Sequence, residues 1–214
     1  MVRINVGCGR TPVKGWKNFD NTKSLFLAKH PVWLRILMML KFVSKDSVEF
    51  VGFIKVNEIN YADVSRRIPE PDNSVEVLYS SHMLEHLDVN KAKFFLQESR
   101  RVLSHGGIIR ISVPDLKSSV ERYLNSGDAE EFMKGILLHS DEDGGLKSRI
   151  KYLLMGNRGH QWMYDGKSLC GLLILAGFND VKVVPAGSTT IPDPGNLDLF
   201  ERASESVFVE AVNP

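Results

Sequence analysis

The sequence has only two cysteines among its 214 residues, Cys8 and Cys170, and they lie far apart along the chain. Such sparse cysteine excludes a disulfide-stabilised framework and a zinc-ribbon spacing. No uncharged apolar stretch approaches about 18 residues, so no transmembrane helix is expected. The first residues reach glycine too early for the apolar core of a signal peptide. These absences predict a soluble globular protein of the cytoplasm.

The chain also lacks a strong excess of charge of either sign. Its 27 Lys and Arg and 26 Asp and Glu leave a formal net charge of +1, which argues against a dedicated nucleic-acid-binding protein. The charge is uneven, because residues 1–60 contain ten Lys or Arg against four Asp or Glu. This excess suits either an ordinary solvated face or attraction to an anionic substrate or membrane surface.

The chain does contain a regular alternation of short β-branched runs and helical patterns. Strands are predicted at residues 2–6, 17–20, 75–79, 108–113, 181–184 and 206–212. Helices are predicted at about 90–104, stopped by Gly106-Gly107, and at 167–176, capped by Asp165 and stopped by Gly177. The last two strands are expected to pair antiparallel because no helix separates them. The pattern predicts an α/β fold with a doubly wound, mostly parallel sheet and an antiparallel C-terminal strand pair.

Two segments interrupt this alternation within what we expect to be a single domain over residues 1–214. The first is a helical insertion at about 22–58, and the second is a polar helical or loop insertion at about 125–158, with an acidic run at 141–145. Within the first, residues 31–43 are apolar nearly all round and too short to span a bilayer. We expect them to form a buried helix, with a lid or an interfacial element as the alternatives.

The first candidate for chemistry is the segment Gly7-Cys8-Gly9, directly after the first predicted strand. Glycines let the backbone approach a ligand closely, and amide N–H groups at such a turn can hold an anionic group. A tight exit from the strand explains the same residues equally well. Pro12 occupies the third glycine position of the dinucleotide fingerprint, which disfavours a nicotinamide cofactor.

Two aspartates follow at points where an α/β sheet would bind a nucleoside. Asp20 ends the second predicted strand, where an acidic side chain can accept the ribose hydroxyls. Asp63 precedes the third strong strand pattern and is placed to meet an adenine amino group. Each aspartate could instead cap a turn.

Five blocks of this sequence, taken together, resemble the class I S-adenosylmethionine-dependent methyltransferases. The blocks are INVGCG at 4–9, GWKNFD at 15–20, the segment 68–87 with HMLEHL, the segment 98–115 and the segment 160–178. The similarity is greatest to a compact subgroup with a Gly-Trp-x-Asn-x-Asp second strand and a His-x-Leu-Glu-His-Leu segment. The five blocks make up about a third of the chain and follow one another in the right order, and the resemblance implies the Rossmann-like fold of that class and S-adenosyl-L-methionine as cofactor.

The resemblance also implies roles for individual positions. Gly7, Cys8 and Gly9 would pass under the methionine part of the cofactor, and Asp20 would hold the ribose. Four further positions are implied: Asp63 and Val64 beside the adenine, and Ser80 and Ser81 near the methionine amino group. No metal site is expected.

The segment His82-Met83-Leu84-Glu85-His86 carries an alternative interpretation. The pattern His-x-x-Glu-His is also that of a zinc hydrolase with two histidines on one helical face. Against that, the segment follows a strand within two residues, and the sequence picks out no further carboxylate ligand. We favour His82 as the residue that faces the transferred methyl group, while Glu85 and His86 orient loops.

The acceptor side is predicted around the segment 160–165. His160 is the preferred acceptor-side residue and Tyr164 the second. The alternative is that this segment has only a structural role in packing. Because methyl transfer is an in-line displacement, the enzyme must chiefly align the reactants, and a His suits the base that an oxygen acceptor needs. We therefore expect a methyltransferase with a small-molecule or glycan-like acceptor, no nucleic-acid partner, and peripheral membrane contact as an option for 31–43. A non-catalytic cofactor-binding protein is the alternative, and the oligomeric state stays open.

Overall fold

A mostly parallel sheet organises the part of the chain that the computed structural model describes, residues 2–40, 42–136 and 159–214. Its strands are β1 (Val2–Val6), β2 (Lys17–Asp20), β3 (Ile59–Tyr61), β4 (Val75–Ser81), β5 (Leu103–Pro114), β6 (Asn179–Val184) and β7 (Ser206–Val212). The order across the sheet is β3-β2-β1-β4-β5-β7-β6. Strands β1 to β5 pair in parallel, whereas β7 runs antiparallel to both β5 and β6. The predicted fold class, with its antiparallel C-terminal pair, is confirmed.

Helices fill the connections between these strands. They are α1 (Ser24–Lys29), α2 (Pro31–Met39), α3 (Lys45–Val56), α4 (Val89–Val102), α5 (Leu116–Ser126), α6 (Ala129–Ile136) and α7 (Gly166–Leu175). Helices α1 to α3 occupy the predicted insertion between β2 and β3. The described helices α5 and α6 begin the second expected insertion, whose acidic run at 141–145 lies outside the described residues.

Of two helix ends predicted from local sequence signals, one is confirmed and the other was wrong. Asp165 caps α7 as predicted, because its carboxylate accepts the Ser168 N–H while the Ser168 hydroxyl accepts the Asp165 N–H. The expected stop of α4 at Gly106-Gly107 was wrong, since α4 ends at Val102 and β5 begins at Leu103. Gly107 lies inside that strand, where a Cβ would come within 2.9 Å of the Ser104 carbonyl oxygen. This glycine is needed for a close backbone approach and not for ending the helix.

The main core lies between the sheet and helices α4 and α7. It buries apolar residues of β1, β4, β5 and β7 against Phe95, Leu96, Leu169 and Leu173. Cys8 is buried with residues of the first insertion, as expected for a small core residue, and Cys170 packs at the edge of the main core. The core thereby fixes the sheet, while the loops at its carboxyl edge are free to carry function.

The prediction that the apolar segment 31–43 is buried was wrong. Within α2 only Leu34 is buried, while Trp33 is 55% exposed and Met39 is 84% exposed. A helix that is apolar all round can bury only the side that meets a neighbour, and α2 packs chiefly on the short helix α1. Among the described residues, no helix is long and apolar enough to cross a membrane.

One polar group is fully enclosed in the sheet, and it generates a prediction about stability. Glu210 on β7 accepts hydrogen bonds from Arg110 at 2.6 Å and from Thr189 and Thr190. The side chains of both Arg110 and Glu210 are buried. The substitution Glu210→Gln leaves the Arg110 guanidinium without its counter-charge in the interior. We expect the free energy of unfolding to fall by about 3–5 kcal/mol, measured by urea denaturation.

The matched control is Glu130→Gln, which breaks the exposed ion pair between Glu130 and Lys134. That change should move the free energy of unfolding by no more than about 0.5 kcal/mol. Equal effects of the two substitutions would contradict the importance assigned to the buried pair.

Candidate functional site

The carboxyl ends of β1, β2, β3 and β4 meet at one edge of the sheet. In a parallel α/β sheet this edge is where ligands bind, close to the point where strand order reverses. Here the reversal lies between β1 and β4. The predicted cofactor residues all follow these four strands, so the fold brings them to one edge.

The exit of β1 is bound tightly to the exit of β2. The N–H groups of Gly7 and Cys8 donate to the Phe19 carbonyl oxygen, at 2.8 and 3.1 Å, and the Gly9 N–H donates to Asp20 Oδ2 at 2.9 Å. The amides that we expected to hold an anionic group are therefore engaged within the chain. What the loop offers a ligand is space, because a Cβ on Gly9 would have no heavy atom within 4 Å.

Asp20 connects three strand exits. Besides accepting from Gly9, its carboxylate accepts the Thr22 N–H at 2.7 Å, and its backbone carbonyl accepts the Ala62 N–H at 3.0 Å. The side chain is half-buried, and each carboxylate oxygen has a lone pair beyond the one used here. Asp20 can therefore accept hydroxyl groups from a ligand without giving up its own structural bonds.

Asp63 and Val64 follow β3 and lie next to Asp20 through Ala62. Asp63 Oδ1 accepts from the Ser65 hydroxyl at 2.6 Å, and its Oδ2 lies 3.2 Å from Arg66 Nε. The side chain thus caps the turn that follows β3. Val64 points its side chain into the main core, so it can border a ligand only through its backbone.

Ser80 and Ser81 end β4, where their side chains are buried. Among the described residues, the Ser80 hydroxyl has no hydrogen-bond partner, and the same holds for Ser112 on the neighbouring strand β5. Buried hydroxyls normally find a partner. These two hydroxyl groups are therefore available to form hydrogen bonds with a ligand at the centre of the sheet edge.

His82 is held rigidly at the end of β4. Its backbone has a φ of 49°, in the left-handed region, and its N–H donates to the Ser112 carbonyl. Its ring contacts the Ser206 hydroxyl through Nε2 at 2.7 Å and Arg202 through Nδ1 at 3.0 Å. Burial, with the nearby Arg202 charge, lowers the pKa of His82 to about 3. A neutral ring with both nitrogens engaged favours a positioning role over proton transfer.

The segment 159–162 is bound against the short 3-10 turn Leu84–His86, although the two lie about seventy residues apart in the sequence. His86 Nδ1 donates to the Gly159 carbonyl at 3.2 Å, and the Gln161 side chain donates to the His86 carbonyl at 3.0 Å. The N–H groups of Gln161 and Trp162 both donate to the Glu85 carbonyl. These bonds bring the His160 ring to the His86 ring, with a centroid distance of 5.0 Å.

A single buried carboxylate lies at the centre of this contact. Glu85 is 1% exposed, and neither of its side-chain oxygens has a hydrogen-bond partner among the described residues. Its Oε1 lies 3.5 Å from His82 Nδ1 and 3.9 Å from the Nε2 atoms of His86 and His160. Burial raises the pKa of Glu85 to about 7, and burial also lowers the pKa of His86 and His160.

The sequence pattern indicated a different pairing of these groups. The hydrolase interpretation needs His82 and His86 on one face of a long helix, whereas the structure has a three-residue 3-10 turn. His82 bonds to Arg202 and Ser206 and stays 3.5 Å from Glu85, while His160 joins Glu85 and His86 from a distant segment. Sequence analysis singled out both segments, but no local signal joins positions so far apart.

Tyr164 lies at the start of the connection to α7. Its side chain is buried in the main core, and its backbone pairs with Asp115 beside the end of β5. Burial, with the nearby charge of Glu85, raises the pKa of Tyr164 to about 12. The phenol therefore stays protonated at neutral pH, as a hydrogen-bond donor and an aromatic wall.

A family model described as a methyltransferase domain matches residues 39–111, about a third of the chain. The match includes β4, Glu85 and most of β5, and leaves out Gly7, Asp20 and His160. It supports the enzyme class predicted from the sequence. No curated protein matches the chain.

Solved structures share the fold at low sequence identity. A methyltransferase of Thermotoga maritima, titled a possible histamine N-methyltransferase, has a TM-score of 0.53 and 14% identity, over 100% of this chain and 82% of that one. One from Methanosarcina mazei has a TM-score of 0.51 and 15% identity, over 98% and 91%. One from Archaeoglobus fulgidus has a TM-score of 0.50 and 14% identity, over 99% and 86%. The Rossmann-like fold of these S-adenosylmethionine-dependent methyltransferases is the fold of this chain.

The glycines of the β1 exit generate a prediction about stability, because Gly7 avoids a clash with Met83 whereas Gly9 only provides a positive φ. A Cβ on Gly7 would clash most closely with the Met83 Cγ and would also lie 2.7 Å from the Met83 Cβ, and both Gly7 and Gly9 have positive φ. We expect Gly7→Ala to lower the free energy of unfolding by about 1–3 kcal/mol through overpacking and strain. Gly9→Ala, which adds strain without a clash, should cost about 1 kcal/mol.

The measurement is chemical denaturation of Gly7→Ala, Met83→Ala and the double variant. Removing most of the Met83 side chain should offset part of the cost of Gly7→Ala, which appears as a coupling energy in the double-mutant cycle. Strict additivity of the two substitutions would contradict the packing of Met83 over Gly7.

Proposed function

We propose that this protein is an S-adenosylmethionine-dependent methyltransferase that acts on an oxygen of a small-molecule or glycan-like acceptor. The observation that carries the proposal is the arrangement of Gly9 and Asp20 at the carboxyl edge of the sheet. The methyltransferase-domain match and the shared fold support it. The cofactor side and the acceptor side are supported by different residues, which we take in turn.

The residues at the exits of β1, β2 and β3 fit an adenosyl cofactor. Gly9 borders open space, and the Asp20 carboxylate keeps lone pairs for two ribose hydroxyls. Asp63 lies beside Asp20 for the adenine, and the unpartnered hydroxyl of Ser80 is available to the methionine part. S-adenosylmethionine, when bound, supplies an electrophilic methyl group. Cys8 contributes by packing, since its side chain is buried in the core.

The residues after β4 and at 160–164 form the proposed acceptor side. His82 is a rigid wall of this side, held by Ser206 and Arg202. His160, which the bonds between 159–162 and Glu85-His86 hold in place, and Tyr164 would complete this side. Their polar atoms would orient an acceptor oxygen, and orientation is the main demand of an in-line displacement. The polar, titratable lining favours a hydroxyl-rich acceptor over an apolar one.

The proposal predicts a specific role for Asp20. The substitution Asp20→Asn keeps the size of the side chain but removes the charge and replaces one of the two oxygens, each of which accepts a backbone N–H, by a donor. Both the anchoring of the loop and ribose recognition should therefore weaken. We expect the dissociation constant for S-adenosylmethionine to rise at least about tenfold, because a hydrogen bond to a charged group contributes about 1.5–3 kcal/mol. Equilibrium dialysis with labelled cofactor measures it. Asp46→Asn, at an exposed aspartate paired with Arg10, is the matched control.

An unchanged dissociation constant in Asp20→Asn would contradict the assignment, and an absence of binding by the unaltered protein would overturn the proposal. Turnover then distinguishes an enzyme from a protein that only binds the cofactor. Formation of S-adenosylhomocysteine should rise when hydroxylated acceptors such as free sugars or glycosides are added. Binding without turnover on any acceptor would leave the non-catalytic alternative.

A further inference from the structure

The buried carboxylate of Glu85 is the most unusual electrostatic feature of the described chain. A carboxylate shut away from water is costly unless hydrogen-bond donors or a cation compensate it. Neither oxygen of Glu85 receives a hydrogen bond among the described residues. A buried carboxylate without donors calls for a compensating group, such as an ion or ordered water.

The groups around Glu85 have the chemistry of metal ligands. A carboxylate oxygen of Glu85 and one ring nitrogen each from His86 and His160 all lie within 4.8 Å of one another. A tetrahedral zinc site has metal–ligand distances of about 2.0–2.1 Å, which places its ligand atoms about 3.3 Å apart. The side chains need to close by only a fraction of the observed spacing to meet around one ion.

His86 is also oriented as a ligand. His86 Nδ1 lies 3.2 Å from the Gly159 carbonyl, which only accepts, so Nδ1 carries the hydrogen and Nε2 presents its lone pair toward Glu85. A ligating histidine characteristically donates its other ring N–H to a carbonyl or carboxylate in this way. The backbone bonds from Gln161 and Trp162 to Glu85 hold the two ligand segments together before any ion arrives.

His82 is excluded from the ligand set by its own bonds. Its Nε2 contacts Ser206 and its Nδ1 faces the Arg202 guanidinium. The hydrogen bond of Arg202 goes to this imidazole and not to the carboxylate of Glu85. The space between Glu85, His86 and His160 is therefore left for another positive charge.

We propose that Glu85, His86 and His160 bind one divalent transition-metal ion. Two imidazoles and one carboxylate suit zinc or cobalt far better than magnesium, which prefers oxygen ligands. Three protein ligands leave a fourth position for water or an oxygen of the acceptor. The proposal goes beyond the proposed methyltransferase function and stands on residues that the cofactor side does not use.

Cobalt titration tests this directly in the full-length, tag-free protein after treatment with a chelator. We expect one Co²⁺ per chain, with visible absorption typical of low-coordinate cobalt, displaced by one equivalent of Zn²⁺. Glu85→Gln and His86→Gln keep the size of each side chain and should each weaken Co²⁺ binding at least about tenfold. His105→Ala, at an exposed histidine elsewhere on the chain, should leave binding unchanged.

The outcomes are separable from those of the proposed function. Absence of stoichiometric Co²⁺ binding by the folded protein, or equal binding by Glu85→Gln, overturns the metal site. A preference for Mg²⁺ over Co²⁺ overturns the choice of a transition metal. Circular dichroism confirms that each variant is folded. Cofactor binding by the chelator-treated protein is measured separately and is expected to persist whatever the result for the metal.

A second, independent observation concerns the exposed helix α2. Together with Phe26 on α1, its exposed apolar residues form one surface: Phe26, Val32, Trp33, Ile36, Met38, Met39 and the following Leu40. Residues 21–45 contain five Lys or Arg and no Asp or Glu. Lys29 and Arg35 are exposed within this surface. We call these residues the α2 surface.

We propose that the α2 surface binds an anionic lipid bilayer peripherally. Apolar side chains with an exposed Trp, flanked only by cations, are the composition of an interfacial element. The charge is complementary to acidic headgroups, which attract nearby Lys and Arg. A protein partner or a second copy of this chain would have to tolerate the same one-sided charge, so the bilayer is the occupant that the chemistry favours.

Co-sedimentation with vesicles tests the proposal. Binding should be at least about tenfold stronger to phosphatidylcholine vesicles containing phosphatidylserine than to phosphatidylcholine alone, and should fall with added salt. The double variant Trp33→Ser and Met39→Ser should lose most of it, while Leu175→Ser, at an exposed leucine on α7, should not. Absence of vesicle binding overturns the proposal, as does concentration-dependent dimerisation that the double variant abolishes.

Discussion

The half-buried carboxylate of Asp20 holds together the edge of the sheet on which the proposed activity depends. Through its side chain it binds the loops after β1 and β2, and through its backbone it binds the exit of β3. Because parallel strands all end at this edge, one residue at the end of β2 can fix the geometry of three loops. The rest of the proposed cofactor side is built around that residue.

The acceptor side depends on a different kind of constraint. Backbone hydrogen bonds hold the segment 159–162 on the turn that contains Glu85, and they carry His160 into contact with His86. The result is a buried carboxylate next to three imidazoles, of which that of His86 is partly exposed. A buried carboxylate in such a cluster is stabilised by a cation or a hydrogen-bond donor. The two sides of the proposed site are thus assembled independently, one by Asp20 and one by this contact.

The fold was accessible from the sequence because its signals are local. Strands β1, β4, β5, β6 and β7 carried branched apolar runs, and the cap at Asp165 and the last strand at Ser206–Val212 were predicted as observed. The three-residue strand β3 (Ile59–Tyr61) was not predicted, because so short a segment carries no pattern of its own. The burial of residues 31–43 was predicted wrongly because hydrophobicity says how much surface is apolar, not whether a neighbour covers it. Gly107 was interpreted as a helix stop because a close backbone contact, here with Ser104, requires a glycine just as a helix-ending turn does.

The candidate site could be predicted only in part, because some of its contacts join segments that are distant in the sequence. The positions of Asp20 and His82 at strand ends followed from the order of elements, whereas the strand that precedes Asp63, β3, was not predicted. The internal use of the Gly7 and Cys8 amides, and the approach of His160 to Glu85, depend on tertiary contacts between distant segments. A crystal structure with S-adenosylhomocysteine tests the account most directly. It should show the ribose hydroxyls on the Asp20 carboxylate and the homocysteine over Gly9; density for the ligand at any other place would contradict the account.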